Sequence, residues 1–133
     1  GTAWDAMVCH ADIHTGNLLV DTQGKLFIVD WDQPVFAPRE RDLMFVTVGD
    51  FMTDEREESL FFQGYGQAEI HPLILAYYRY ERVMEDLAEF AAQVFLIDSN
   101  DETRQDSVEW FMRMFGPNSS VEVAHRLDHI LNL

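Results

Sequence analysis

The chain has 133 residues, 47% hydrophobic and 25% charged, which is one domain's worth of sequence with apolar and aromatic content too high for a disordered segment. Twenty-four acidic residues against nine basic ones leave a net charge of −15, the reverse of what a nucleic acid or an anionic membrane surface attracts, so neither is expected as a partner. A single cysteine, Cys9, excludes a disulfide framework and a cysteine-rich zinc site, and with neither a membrane-length apolar run nor a signal-peptide pattern in view, a cytoplasmic protein is expected.

The pattern along the chain divides into a short β-rich start and a long helical remainder, read as one domain over residues 1–133. MVCHA (7–11) is a short strand. LLVD (18–21) and LFIVD (26–30) are stronger ones, joined by a turn containing Gly24 into a hairpin. ERDLMFVTVGD (40–50) reads as a helix with strand-like β-branched residues near its end. Asp54 and Glu57 form a capping-box signature ahead of EESLFFQGYG, which Gly64 and Gly66 close. A long helix is expected from about Pro72 to Phe95, since proline suits a first turn. Its apolar face is read as Ile74, Tyr77, Val83, Leu87, Phe90 and Val94. A further helix is expected over 102–115, stopped by Gly116-Pro117. Ser119 with Glu122 caps the last, which carries Val121, Ala124, Leu127, Ile130 and Leu131 inward. Cys9 is read as a buried structural thiol.

Chemistry concentrates in HADIHTGN (10–17). On an extended segment His10, Asp12 and His14 share a face, so a three-ligand zinc site for a metal-dependent hydrolase is one alternative. Phosphoryl transfer is the other. That chemistry needs an aspartate to take the proton of the attacking hydroxyl, and oxygen ligands for a Mg²⁺ that neutralises the phosphates. Asp12 and Asn17 are five residues apart, and a hairpin of the expected length returns Asp30 beside Asn17, with Asp32 just beyond.

HxDxxxxN, an apolar hairpin and the DWD at 30–32 together resemble the aminoglycoside phosphotransferase and choline kinase family, within the protein-kinase-like fold. APRERDLMF (37–45) and YYRYERVMEDLAEF (77–90) are most similar to its spectinomycin phosphotransferase branch. The resemblance implies that Asp12 is the catalytic base, that Asn17 and Asp30 hold Mg²⁺, that His10 and Asp42 support the loop, and that Asp32 is an auxiliary acid. His14 is assigned no chemistry. The implied fold is α+β and mostly helical: the C-terminal lobe of a kinase-like enzyme, with a small β-hairpin presenting the catalytic and metal residues.

The resemblance also implies ATP as co-substrate and a small, cationic, hydroxylated acceptor such as an aminoglycoside or aminocyclitol, held by carboxylates. Glu81, Glu85 and Asp86 are candidates, as are Asp50 and Asp54. The family's nucleotide-binding lobe precedes the catalytic loop and supplies a strand lysine. Here only nine residues precede His10, and the sole lysine, Lys25, follows it. A piece of a longer enzyme, or one completed by a second chain, is therefore expected. Self-association through the apolar surface left uncovered is expected as well. The non-enzymatic alternative is an acidic interaction module that retains a kinase-like loop.

Overall fold

A computed structural model of the chain describes residues 5–46, 55–96, 101–117, 119–126 and 128–131, with the backbone alone described at 55, 101–103, 129 and 130. Asp50, Asp54 with its capping box, residues 47–50 of the expected helix, Leu127 and the side chain of Ile130 lie outside this set. The chain forms two compact units, Gly1–Leu75 and Ala76–Leu133.

The first unit is built on two antiparallel ribbons. Strand β1 (Ala6–Cys9) pairs with β4 (Val35–Pro38), matching Ala6 to Pro38 and Cys9 to Val35. Strands β2 (Leu18–Val20) and β3 (Leu26–Ile28) form the expected hairpin, with Leu19 opposite Phe27. Its turn is built by Asp21, whose Oδ1 accepts the N–H of Gln23 at 2.8 Å and of Lys25 at 2.9 Å, while Gly24 takes a φ of +80° open to residues without a β-carbon. Strand β4 was not expected from the sequence. VFAP carries no alternation and ends in a proline, a residue confined to strand edges, and its partner lies 29 residues earlier in the chain.

A short helix, α1 (Glu40–Leu43), follows β4 directly. Leu43, Met44 and Phe45 at its end are buried, as are Cys9 and Ala37 of the β1–β4 ribbon. Cys9 is 1% exposed, and its thiol lies 3.5 Å from the carbonyl oxygen of Ala37. Burial pushes that thiol up to about 11. Glu40 is buried as well, and its carboxylate accepts the backbone N–H of His71 at 2.9 Å, which ties down the segment behind helix α2 (Glu55–Tyr65).

Helix α3 (Pro72–Phe95) spans the expected residues. Its buried side chains are Ile74, Leu75, Ala76, Arg79 and Val83. Tyr77, expected on the apolar face, is instead 59% exposed and donates its hydroxyl to Glu81 at 2.7 Å. A tyrosine with a carboxylate one turn away gains a hydrogen bond at the surface that it would forfeit inside.

In the second unit Val83, Met114 and Ala124 form a buried cluster, with Tyr80, Leu87, Phe90 and Val121 packed against it. The cluster joins α3 to the end of α4 (Asp101–Arg113) and to α5 (Ser120–Arg126). Ser119 caps α5 as expected, its hydroxyl accepting the Glu122 N–H at 3.3 Å. The single final helix expected from the sequence is two, α5 and α6 (Asp128–Leu131). Tyr80 donates to Asp128 at 2.7 Å, and His125 lies 2.9 Å from the same carboxylate. Burial and the Asp128 bond push the Tyr80 phenol up to about 12. Among the described residues no helix is long and apolar enough to cross a membrane.

Candidate active site

The loop between β1 and β2 turns sharply at Ala11, whose φ of +71° lies in the left-handed region that a β-carbon disfavours. The Asp42 carboxylate holds it there. Oδ2 accepts the His10 N–H at 2.8 Å and Oδ1 accepts the Ala11 N–H at 2.7 Å. Asp42 comes within reach because β4 pairs with β1 and α1 follows β4 at once.

His10 fastens the loop to the hairpin. Its Nδ1 accepts the Asp12 N–H at 3.3 Å, so Nε2 carries the ring proton and donates to the Val29 carbonyl oxygen at 2.8 Å. Trp31 packs against the imidazole edge-to-face with ring centroids 4.6 Å apart, and its indole N–H donates to the Ile28 carbonyl oxygen. Both His10 nitrogens are thus engaged and neither has a lone pair for a metal. The zinc trio of His10, Asp12 and His14 is not formed, and among the described residues no group of three or more histidine, cysteine, aspartate or glutamate side chains could hold a metal ion.

Beyond Asp12 the chain makes a single 3₁₀ turn, Thr15–Asn17. Asn17, 7% exposed, directs its amide nitrogen to the Asp12 carbonyl oxygen at 2.8 Å and stands 3.4 Å from Asp12 Oδ2. With the nitrogen so engaged, Oδ1 is the end of the amide left to meet a cation. The Asn17 backbone carbonyl oxygen accepts the Val29 N–H at 3.0 Å, which extends the hairpin by one rung and sets Asp30 next to that rung. Asp30 adopts a φ of +66°, a conformation aspartate tolerates better than most residues, and its exposed carboxylate has no hydrogen-bond or ion-pair partner among the described residues. Asp32 is exposed two residues on.

The structure therefore brings together five of the residues singled out from the sequence: His10, Asp12, Asn17 and Asp42, with Asp30 adjoining them. A sixth member, His14, was read only as a ligand in the zinc alternative and was given no role in phosphoryl transfer. Its Nδ1 accepts the Gly16 N–H at 3.0 Å, and its Nε2 is 3.4 Å from Asp12 Oδ2. The one signal in the sequence was its spacing of two from Asp12, which serves a metal site equally well.

Glu81, Glu85 and Asp86 belong to α3 in the second unit. Glu81 accepts the Tyr77 hydroxyl, Glu85 is exposed, and Asp86 pairs with Arg82 at 3.0 Å. Burial pushes the Asp86 carboxyl above its ordinary value, against the pull of the Arg82 guanidinium.

The model of the phosphotransferase enzyme family known as APH matches residues 2–83. Among solved structures, the chain is similar to spectinomycin phosphotransferase APH(9)-Ia in complex with ADP and spectinomycin. The identity is 40% and the TM-score 0.81, over 93% of this chain and 38% of that one. It is likewise similar to the AMP-bound complex of spectinomycin phosphotransferase, at 40% identity and a TM-score of 0.75, over 90% of this chain and 37% of that one. The chain thus spans well under half the length of the solved structures it matches. No curated protein matches it. The mostly helical α+β, kinase-like fold expected from the sequence is the fold of these structures.

Proposed function

The chain belongs to the phosphotransferase enzyme family, and from that premise we propose that it is the catalytic-loop portion of an enzyme that moves the γ-phosphoryl group of ATP to a hydroxyl of a small cationic acceptor. The observation that carries this reading is the join at Asn17. One residue bonds Asp12 through its side chain and the strand before Asp30 through its backbone, at 2.8 and 3.0 Å. The Asp12 backbone and the strand that leads into Asp30 are then joined at one asparagine, an economical arrangement for a base and a metal-binding carboxylate.

In this proposal Asp12 accepts the proton of the acceptor hydroxyl as its oxygen attacks the γ-phosphorus. The bond from phosphorus to the β-phosphate oxygen breaks, and ADP leaves. Asp42 and His10 act through the backbone, fixing where Asp12 sits. Asn17 Oδ1 and the Asp30 carboxylate are hard oxygen donors, and one or two carboxylates completed by phosphates and water suit Mg²⁺. Bound there, the ion supplies neutralisation of charge on the nucleotide phosphates. Asp32 adds negative charge beside this pair.

Glu81, Glu85 and Asp86 are proposed to orient the cationic acceptor, for which the aminocyclitol in the similar structure is the model. The nucleotide-binding lobe is proposed to come from additional chain or a second protein, with residues 1–133 acting as one lobe beside it.

The test is a chimera in which this chain replaces the corresponding segment of spectinomycin phosphotransferase. Phosphorylation of spectinomycin from ATP is expected, with Asp12→Asn lowering kcat by about 10²- to 10⁴-fold. A chimera that turns over equally well with Asp12→Asn would sink the proposal.

A further inference from the structure

We infer that His14 is a positioning residue that fixes the Asp12 carboxylate through a single imidazole tautomer, an inference that rests on Asp12 being the base. Three observations place the ring. The Gly16 N–H donates to Nδ1 at 3.0 Å, so Nδ1 presents its lone pair and the ring proton of the neutral imidazole sits on Nε2. Nε2 in turn lies 3.4 Å from Asp12 Oδ2. Finally, the imidazole lies directly over Gly16. A β-carbon there would stand 2.8 Å from His14 Cε1 and 3.0 Å from Nδ1, so any other residue at position 16 would push the ring away.

Asn17 supplies the second constraint. Its amide nitrogen is 3.4 Å from His14 Nε2 and 3.4 Å from Asp12 Oδ2. With the proton on Nε2 the two nitrogens are both donors and make no bond to each other. Both converge on one oxygen of Asp12. A carboxylate approached at Oδ2 by two N–H groups has one rotation selected, and the direction in which it meets a hydroxyl is chosen before the acceptor arrives. His14 touches no reacting atom in this arrangement. It acts through Asp12.

Long-range ¹H–¹⁵N correlation of the histidine rings in this chain, at a pH where they are neutral, tests the tautomer directly. His14 is expected to show a bare Nδ1 and a protonated Nε2, and Gly16→Ala to convert it to an averaged pair of forms. A wild-type His14 that averages its tautomers, or protonates Nδ1, overturns the inference whatever the enzyme does.

In the chimera described above, His14→Phe keeps the ring and removes both nitrogens. It is expected to lower kcat about tenfold or more with the KM for acceptor unchanged. His14→Gln returns an N–H donor at the position of Nε2 and is expected to recover part of the loss. His14→Phe turning over like wild type while Asp12→Asn does not would overturn this inference and leave the assignment of Asp12 intact. An active Asp12→Asn would fell both.

Discussion

Ala11 donates its backbone N–H to Asp42 Oδ1 at 2.7 Å while its φ stands at +71°. An L-residue in the left-handed region costs roughly 1–2 kcal/mol, and the adjoining bond from His10 to Oδ2 of the same carboxylate completes a two-point grip on the loop. Hydrogen bonds to a charged group contribute about 1.5–3 kcal/mol each. Asp42→Ala is therefore expected to destabilise the chain by about 3 kcal/mol, read as a lower urea midpoint at unchanged slope. A loss below about 0.5 kcal/mol, typical of a surface substitution, would refute the bracing role.

Ala11 itself offers the complementary test. A β-branched residue at that φ is an outlier, so Ala11→Val is expected to cost roughly 1–3 kcal/mol beyond any packing change. Chemical shifts of His10, Asp12 and Asn17 should move with it. Unmoved shifts at Asn17 would mean that the turn is not coupled to the rest of the loop.

The proposed metal pair predicts a dependence on Asp30. Calorimetric titration of Mg-ATP into the chimera should give binding that weakens about 10- to 100-fold with Asp30→Asn, with ATP in the absence of Mg²⁺ showing far less difference. Equal losses with and without Mg²⁺ would move Asp30 from metal binding to loop structure.

Alkaline pH acts on two weak acids, the buried Cys9 and the half-buried Tyr80. Cys9 is raised from 9.0 to about 11 and Tyr80 from 10.0 to about 12, so the unfolded chain gives up these protons first. Their contribution to stability is full below pH about 9 and is lost as pH rises through about 11 and about 12. The urea midpoint should fall across that window, and Cys9→Ser combined with Tyr80→Phe should flatten the fall. Below pH about 9 the Cys9 thiol should resist alkylation until the chain is denatured.

Asp86 predicts the opposite of an ordinary salt bridge. Its carboxyl is raised chiefly by burial, with Arg82 offsetting only part, so stability declines as pH rises from the ordinary carboxylate value through the folded one. Ionising the group in the folded chain is a net cost. Asp86→Asn is expected to raise the thermal midpoint of the chain, and a clear drop would show that the Arg82 pair outweighs its desolvation.

Much of this molecule was legible in the order of its residues, for reasons that differ from part to part. Helix α3 announced itself through Pro72 and a long 3.6-residue period, and the hairpin through two apolar runs around Gly24, since both signals are local. Tyr77 was placed on the wrong face because period alone cannot see that Glu81, one turn away, offers its hydroxyl a surface partner. Strand β4 escaped, and the bracing role of Asp42 rested on the resemblance alone, for a shared reason. Each depends on pairing between segments about thirty positions apart, as with Cys9 and Val35 or Ala11 and Asp42. Within Glu40-Arg41-Asp42 a bracing carboxylate and a solvated one look alike until β1 and β4 meet. For His14, the sequence offered a zinc ligand or no chemistry, and its place beside Asp12 shows only in the structure, where the Gly16 N–H occupies Nδ1.

The β1–β4 ribbon also sets the order in which the loop can become ordered. His10 and Ala11 are secured by bonds to Val29 and Asp42, across 19 and 31 positions, so no local turn can fix that end of the loop early. The entropy of closing that stretch must be met before any of these bonds forms. The amide protons of His10 and Ala11 should then exchange with solvent at a common rate, opening and closing as one cooperative unit. A chain whose hairpin has formed but whose ribbon has not would keep the local bonds of residues 12–17 and lack the grip on His10 and Ala11 that aims them.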